Sequence, residues 1–121
     1  MASVKFIRHQ NIEILYIDFS YSTSKEEILG IMAETKRLII TRPPASVFTL
    51  TNITDARFDN EINNELKNLA IHNKPYVKAG AVVGVTSIRK IIYNAVLLFA
   101  KRKLEMCDDL ESAKAWLVSQ S

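Results

Sequence analysis

The stretch "VKAGAVVGV", residues 77–85, is the feature that most limits how this chain can fold. It carries apolar or small residues at almost every position, whereas a strand with one face in water would alternate apolar and polar residues. Pro75 precedes it and a segment with helical spacing follows it. Such a run is typical of a strand buried on both faces of a parallel sheet, and it therefore predicts helices that cover both faces.

The rest of the chain alternates between strand and helix patterns. The predicted strands are "SVKFIRH" (3–9), "IEILYIDFS" (12–20), "SVFTLTNI" (46–53), residues 77–85 and "KLEMC" (103–107). The predicted helices lie in 24–42, 59–73, 87–102 and from 108 onwards. This order, β-β-α-β-α-β-α-β-α, predicts a single α/β domain over residues 1–121. It has one mixed, mostly parallel five-stranded sheet flanked by four helices, and the opening hairpin turns at "QN".

Helix caps and apolar spacing define the inward faces. Ser24 with Glu27 three residues later forms a capping box, and Asp108 with Glu111 is expected to cap the last helix. The residues expected to face the core are Ile28, Ile31, Met32, Thr35 and Ile39 in the first helix, Ile62, Leu66, Leu69 and Ala70 in the second, and Leu110, Ala113 and Leu117 in the last.

Composition excludes several classes of protein. A chain of 121 residues with 48% hydrophobic and 24% charged residues is typical of a soluble globular domain. Its single cysteine, Cys107, excludes an internal disulfide and is expected to be a small packed side chain. The N-terminus lacks the apolar core of a signal peptide, and no apolar stretch reaches the roughly 20 residues of a membrane span. We therefore expect a cytoplasmic protein without stable membrane insertion.

Charge does not indicate a nucleic-acid partner. The net charge is +3, acids and bases are interleaved along the sequence, and the densest basic run is only Lys101–Lys103. A short basic run of this kind suits the end of a helix, where cations are favoured.

The segments "SVFTLTNITDARFDNEI", "HNKPYVKAGAVVGVTSIRKIIYNAV" and "DDLESAKAWL", in this order of elements, resemble the STAS domain (sulphate transporter and anti-sigma-factor antagonist). The chain is most similar to the small stand-alone bacterial proteins called anti-sigma-factor-antagonist-like. The resemblance covers nearly the whole chain. It implies a STAS-like fold and a protein that works by binding rather than by catalysis.

Regulatory STAS domains carry an Asp-Ser-Ser-Gly motif at the start of the second helix, where a kinase phosphorylates a serine and so breaks a protein contact. The corresponding residues here are Asp59–Ile62. Asp59 matches the family aspartate, but Asn60 and Glu61 stand where the hydroxyl groups would be. The resemblance therefore implies a member without the phosphoserine switch.

Two interpretations of this polar turn remain open. Asp59 or Asn60 could simply cap the helix, with Glu61 favoured in its positive first turn. Alternatively, Glu61 could act as a fixed negative charge that mimics the phosphorylated state. Asp55 and Arg57 lie just before it, in a loop at the carboxyl end of a predicted strand, where α/β proteins commonly bind partners.

A second loop lies between the strand 77–85 and the third predicted helix. Thr86 or Ser87 is expected to cap that helix, with Arg89 and Lys90 close to its free N–H groups. Such a terminus can hold an anion, although the Gly-Lys-Ser/Thr ending of a P-loop is absent. We therefore take both loops as interaction or anion-binding candidates.

The third predicted helix has more apolar surface than one core-facing side requires. With Ile88, Ile92, Ala95 and Phe99 inward, the residues Tyr93, Leu97 and Ala100 form a second apolar stripe. A homodimer is the simplest use of this stripe. Contact with a membrane surface is a rival that normally needs a stronger basic face, and neighbouring segments could also cover it.

No motif indicates catalysis, a metal site or a cofactor. His9 and His72 have no ligand spacing, and no serine has the setting of an activated nucleophile. Asp18 has no evident role, and Asp55 with Asp59 would need a cleft to do acid–base work. The leading hypothesis is a protein-interaction module, with a carrier or sensor of a small apolar or lipid-like ligand as the alternative and an enzyme as the weakest.

Overall fold

The computed structural model describes residues 3–85 and 104–121. Its strands are β1 (Ser3–His9), β2 (Ile12–Asp18), β3 (Val47–Asn52), β4 (Val77–Val83) and β5 (Leu104–Cys107). Its helices are α1 (Lys25–Ile39), α2 (Asn60–Asn73) and α3 (Leu110–Ser119). The third predicted helix, 87–102, lies outside the described residues, so α3 is the helix predicted last in the chain.

The strands form one five-stranded sheet in the order β1-β2-β3-β4-β5. The β1–β2 pair is antiparallel, with Phe6 opposite Leu15, and the pairs from β2 to β5 are parallel. The prediction of a mixed, mostly parallel sheet is therefore confirmed, as is the interior position of β4. Strands β2–β5 all begin at one end of the sheet and finish at the other. We call the end at which they begin the amino edge and the end at which they finish the carboxyl edge; neither term refers to the outermost strands β1 and β5.

Apolar side chains fill both faces of the sheet. On one face, Leu15 and Ile17 pack in a cluster with Ile28 of α1 and Ile62 of α2. On the opposite face, buried side chains of β2, β3 and β4, among them Leu50, pack with Ala113 and Leu117 of α3. Because β2–β4 are buried from both sides, these strands carry apolar residues on both faces.

The predicted face of α1 is confirmed, and that of α3 is confirmed at Ala113 and Leu117, while Leu110 is half-buried against the same cluster. The buried residues of α1 are the five that its spacing predicts, and Ser24 Oγ accepts a hydrogen bond from Glu27 N at 3.3 Å. In α2 the prediction was wrong at Ala70, which is half-buried, whereas Asn73 is buried. A helical face of this width runs on to the last turn, so Asn73 falls on it.

Several boundaries differ from the sequence prediction by one to three residues, and for two of them a side chain gives the reason. Asp109, not Asp108, caps α3, because its backbone is extended and its Oδ1 accepts a hydrogen bond from Ser112 N at 2.7 Å. Strand β2 ends at Asp18 rather than at Ser20, because Asp18 Oδ1 accepts a hydrogen bond from Ser20 N at 2.9 Å and so turns the chain.

Cys107 ends β5 as a half-buried residue. Burial, reinforced by the charges of Glu105, Asp108 and Asp109, raises the pKa of its thiol. The thiol therefore stays protonated at neutral pH, which agrees with a packing role and not with a reactive one.

At the amino edge, Arg42 joins the end of α1 to the opening hairpin. Its Nε donates to Glu13 Oε1 at 2.9 Å and its second terminal nitrogen donates to Glu13 Oε2 at 3.2 Å. The guanidinium also lies 3.9 Å from the centroid of the Phe6 ring. This combination of a bidentate ion pair with a cation–π contact fixes the hairpin against the helix side of the sheet.

We expect the Glu13→Gln variant to unfold at a lower urea concentration than the wild type at neutral pH. The hydrogen bond from Arg42 lowers the pKa of Glu13. The carboxylate therefore stabilises the folded state above the unfolded-state pKa of about 4.3, and this stabilisation is lost as the pH falls through the lower folded-state pKa. Urea unfolding at about pH 7 and about pH 3 should show the gap between the two proteins closing in acid.

Glu105→Gln is the control, because Glu105 is exposed on β5 and has no ion pair among the described residues. Its midpoint should match that of the wild type at both pH values. If the urea midpoints of Glu13→Gln and the wild type differ by the same amount at both pH values, the stability does not depend on the ionisation of Glu13, and the prediction is wrong.

Candidate functional site

Two loops meet at the carboxyl edge. Residues 19–24 join β2 to α1, and residues 53–59 join β3 to α2. Backbone hydrogen bonds hold them together: Tyr21 N donates to Thr54 O at 2.8 Å and Arg57 N donates to Ser22 O at 2.9 Å. Because these bonds are between main-chain atoms, the relative position of the loops does not depend on flexible side chains.

Asn52, at the end of β3, organises the turn that follows it. Its side chain is buried, and its Oδ1 accepts hydrogen bonds from Thr54 N at 3.1 Å and from Thr54 Oγ1 at 2.7 Å. Its Nδ2 donates to the hydroxyl of Tyr16 at 3.3 Å. Burial, with a smaller effect from the carboxylate of Asp18, raises the pKa of Tyr16, so the phenol stays neutral.

Asp18, for which the sequence indicates no evident role, lies beside this network. Asp18 is the register partner of Asn52 in the parallel pair of β2 and β3, so its carboxylate stands at the carboxyl edge. There it turns the chain through Ser20 N and lies close to Tyr16. Its role is therefore to shape the first loop.

Two exposed residues at this edge adopt the left-handed backbone conformation. Tyr21 has φ 60° and Asp55 has φ 53°, and neither is glycine. The left-handed region costs a residue with a side chain roughly 1–2 kcal/mol, which the surrounding hydrogen bonds must offset. Tyr21 is 68% exposed, so an aromatic side chain is held in water on a fixed backbone.

The predicted polar turn Asp59–Ile62 is a helix cap. Asp59 Oδ1 accepts a hydrogen bond from Ile62 N at 2.8 Å, and Asn60 is the first residue of α2 and not its cap. That hydrogen bond, followed by one from Lys25, lowers the pKa of Asp59. The capping interpretation of this turn is therefore confirmed for Asp59.

Lys25, the first residue of α1, forms ion pairs with both acids of this turn. Its Nζ lies 2.9 Å from Asp59 Oδ2 and 2.9 Å from Glu61 Oε1. Hydrogen bonds to Asp59 and then to Glu61 raise the pKa of Lys25, so the ammonium group stays charged. Glu61 therefore is not an isolated negative charge, and the pairing also joins the N-termini of α1 and α2.

Arg57 and Phe58 have different environments. The Arg57 side chain is exposed, and no ion pair joins it to another described residue. Phe58 is half-buried and its ring meets that of Phe19 edge-on, with centroids 5.8 Å apart. Phe58 thus anchors the loop from below, while Arg57 and Asp55 remain on its outer surface.

The end of β4 approaches the same loop through Gly84. Its φ is +92°, and a Cβ atom at this position would lie 2.5 Å from both Thr54 N and Thr54 Oγ1. Only glycine fits there without moving the backbone of Thr54. The remaining predicted site residues, Thr86, Ser87, Arg89 and Lys90, and the stripe of Tyr93, Leu97 and Ala100, lie outside the described residues.

Of the predicted residues, the structure therefore brings together Asp55, Arg57, Asp59, Asn60 and Glu61 at the carboxyl edge. Sequence analysis missed Tyr21 and Lys25, which belong to the same surface. Their signals were weak: Tyr21 sits in a polar turn, "SYSTS", that any loop could contain, and Lys25 stands in the first turn of a helix, where a cation is normally disfavoured.

Other kinds of site are not evident in the part of the chain that the structure describes. No three His, Cys, Asp or Glu side chains within residues 3–85 and 104–121 come together in a way that could hold a metal ion. None of the helices there combines the length and apolar character that crossing a membrane requires.

The fold has a counterpart among known structures. The chain is similar to the crystal structure of an uncharacterized protein of the DUF3478 family with a SpoIIAA-like fold, from Shewanella loihica PV-4. The TM-score is 0.74 and the sequence identity is 14%, over 95% of this chain and 92% of that one. The SpoIIAA-like fold is the STAS and anti-sigma-factor-antagonist-like fold, so the resemblance predicted from the sequence is confirmed at the level of the fold. No family model and no curated protein matches the sequence.

We expect Gly84→Ala to destabilise the folded protein by about 3 kcal/mol, because the new methyl group meets the backbone of Thr54 and the left-handed φ is unfavourable for alanine. Gly30→Ala is the matched control. Gly30 lies in α1 with nothing within 4 Å of an added Cβ, so this change should stabilise the protein by up to about 1 kcal/mol. Urea unfolding of both variants tests the difference in sign.

Asn52→Ala should destabilise the protein by about 2 kcal/mol, because it leaves the N–H and hydroxyl groups of Thr54 without their acceptor. Thr51→Ala, at the neighbouring half-buried position, should cost less than about 1 kcal/mol. Equal unfolding free energies for the two variants would show that Asn52 does not organise the loop.

Proposed function

We propose that this chain is a non-enzymatic STAS-like module that binds a protein partner through its carboxyl edge. The surface consists of the exposed residues of the two joined loops, with Tyr21, Asp55 and Arg57 at its centre. The proposal also includes the second predicted loop, which follows the strand 77–85 in the sequence; Gly84, at the end of β4, lies against Thr54.

The observation that carries this proposal is the fixed exposure of Tyr21. A large aromatic side chain in water has no folding benefit, and its left-handed backbone has a cost. Backbone hydrogen bonds to the neighbouring loop nevertheless hold it in place. Tyr and Arg are the residue types that most often dominate binding energy in protein interfaces, and a rigid loop loses little entropy on binding.

The proposal includes binding without a phosphoserine switch at α2. Asn60 and Glu61 occupy the positions at which regulatory members of the family carry serine. Lys25 pairs with Glu61 as well as with Asp59, which weakens the interpretation of Glu61 as a phosphate mimic. Binding at this edge then depends on exposed side chains and not on phosphorylation at the start of α2.

The absence of catalysis is also part of the proposal. Two of the acids at this edge have structural partners: Asp59 caps α2 and binds Lys25, and Asp18 turns the chain at Ser20. An acid–base pair would need one of these carboxylates to be available to a substrate. A homodimer through the third predicted helix and a cytoplasmic location remain predictions from the sequence.

Site-specific photo-crosslinking in the native host tests the proposal. Replacing Tyr21 by p-benzoylphenylalanine keeps an aromatic side chain at this position. We expect crosslinks to a defined protein from Tyr21. The same group at Lys67, exposed in the middle of α2, is the control and should give none. Adding Arg57→Ala should reduce the crosslinked product about tenfold, because loss of a hot-spot arginine typically costs that much affinity or more.

Equal crosslinking from Tyr21 and Lys67, or none from either, would contradict binding at the carboxyl edge. Native mass spectrometry of the protein purified from its host provides the second readout. A small molecule that stays bound under native conditions and leaves on denaturation would favour the alternative of a ligand carrier.

A further inference from the structure

The two edges of the sheet carry opposite charge, although acids and bases are interleaved along the sequence. Among the described residues, the carboxyl edge has nine acidic residues and two basic ones, Lys25 and Arg57; the acids are Asp18, Glu26, Glu27, Asp55, Asp59, Glu61, Asp108, Asp109 and Glu111. Arg89 and Lys90, which follow β4 in the sequence, lie outside the described residues. Within the same described ranges, the amino edge has six basic residues, Arg8, Lys36, Arg37, Arg42, Lys74 and Lys78, and two acidic ones, Glu13 and Glu34. The fold thus separates charges that the sequence mixes.

Ion pairs compensate some of the charged residues at each edge, but they do not reverse the sign of the net charge there. At the amino edge, Glu13 pairs with Arg42 and Glu34 pairs with Arg37, so both acids are neutralised. The amino-edge bases that have no ion pair with another described residue are Arg8, Lys36, Lys74 and Lys78. At the carboxyl edge, Lys25 compensates at most one of the acids that it contacts, and Lys114 pairs with Glu111; most of the other acids are exposed.

Each edge also carries exposed apolar groups. Tyr21 projects from the carboxyl edge, while Ile40 follows the last turn of α1 and Ile71 lies in the last turn of α2; Ile40 is 54% exposed and Ile71 is 48% exposed. The loops after α1 and α2 form one surface at the amino edge, because Ala45 N donates to Pro75 O at 2.9 Å. Both edges therefore combine apolar side chains with charge of one sign.

We propose that the partner of the carboxyl edge is the amino edge of a second copy of this chain, so that the protein associates head to tail. This inference rests on the proposed function, because it identifies the partner of the same surface. The acids around Tyr21 would face the bases around Ile40 and Ile71, which gives both attraction and apolar contact. The interface is heterologous, so each copy keeps one free edge and the assembly can grow.

Charge complementarity favours a second copy of this chain over an anionic lipid surface or a nucleic acid as the partner. An anionic lipid surface or a nucleic acid would engage the basic amino edge alone and leave the acidic edge and Tyr21 unused. A second copy uses both edges. Exposed ion pairs contribute little individually and are screened by salt, so this association is weak and strongly dependent on ionic strength.

Sedimentation equilibrium of the full chain measures this association. In about 0.05 M salt the average mass should rise with concentration past that of a dimer, and in about 0.5 M salt it should return to that of a monomer. A twofold dimer, such as one formed through the third predicted helix, would instead level off at the dimer mass.

Two charge-neutralised variants test which surfaces meet. The carboxyl-edge variant combines Glu26→Gln, Glu27→Gln and Asp55→Asn. The amino-edge variant combines Lys36→Gln, Lys74→Gln and Lys78→Gln. The control variant combines Lys5→Gln and Lys67→Gln, which lie away from the amino edge. Asn tolerates the left-handed backbone of residue 55, and circular dichroism verifies that each variant is folded.

Each edge variant alone should associate about tenfold more weakly than the wild type, and the control should match the wild type. An equal mixture of the two edge variants should regain wild-type affinity but stop at the dimer, because each partner contributes one intact edge. That result requires a heterologous contact between these two surfaces.

Other results would overturn the inference. A wild-type protein that stays monomeric in low salt, or edge variants that associate as the wild type does, would exclude the head-to-tail contact. Binding of the wild type to anionic vesicles or to duplex DNA without self-association would assign the basic edge to another partner. If self-association fails while Tyr21 still crosslinks to a different protein, the proposed function stands and this inference fails.

Discussion

Parallel pairing of β2, β3 and β4 is the constraint on which the rest of this structure depends. Parallel neighbours cannot be joined by a tight hairpin, so each strand must be followed by a segment that returns across a face of the sheet. Helix α1 makes this return after β2, and α2 makes it after β3. Their N-termini therefore lie at the carboxyl edge, together with the N-terminus of α3 after β5, and their C-termini lie at the opposite edge.

This arrangement turns local helix preferences into a property of the whole molecule. Acidic residues favour the first turn of a helix and basic residues favour the last. In α1 the first turn contains Glu26 and Glu27 and the last turn contains Lys36 and Arg37. Because the described helices point the same way, the acidic first turns of α1, α2 and α3 together make the carboxyl edge acidic, whereas the last-turn lysine and arginine come from α1 alone. A sequence in which acids and bases are interleaved thus folds so that acidic and basic residues collect at opposite ends of the sheet.

At the carboxyl edge, both backbone hydrogen bonds and side-chain contacts fix the shape of the surface. Backbone hydrogen bonds join the two loops, Asn52 holds the turn at Thr54, and Lys25 connects the starts of α1 and α2. Through these contacts Tyr21 stays exposed on a fixed backbone. Asp18 and Asp59 have structural contacts, whereas Asp55 and Arg57 remain exposed on the surface of the loop.

Sequence patterns predicted the elements, the mixed parallel sheet and most of the buried helix faces, because apolar spacing reports directly which side of an element is buried. They were less reliable at ends. Asp108 and Asp109 are chemically equivalent as cap candidates, and only the extended backbone of Asp109 distinguishes them. Asp59 and Asn60 posed the same problem, and there too the residue with extended geometry is the cap.

The sequence by itself determined the order of strands and helices, the burial of β4 and the presence of a capped helix at residue 59, since each follows from interactions between residues close together in the chain. Only the tertiary structure decided that Lys25 meets Asp59 and Glu61, that the loop of Tyr21 is bonded to the loop of Arg57, and that the charges of the described residues separate to opposite edges. These features join segments some 30 or more residues apart, such as Lys25 and Glu61, which are separated by 36 positions. No local pattern encodes such contacts, because they follow from the register of the sheet and the direction in which the helices cross it.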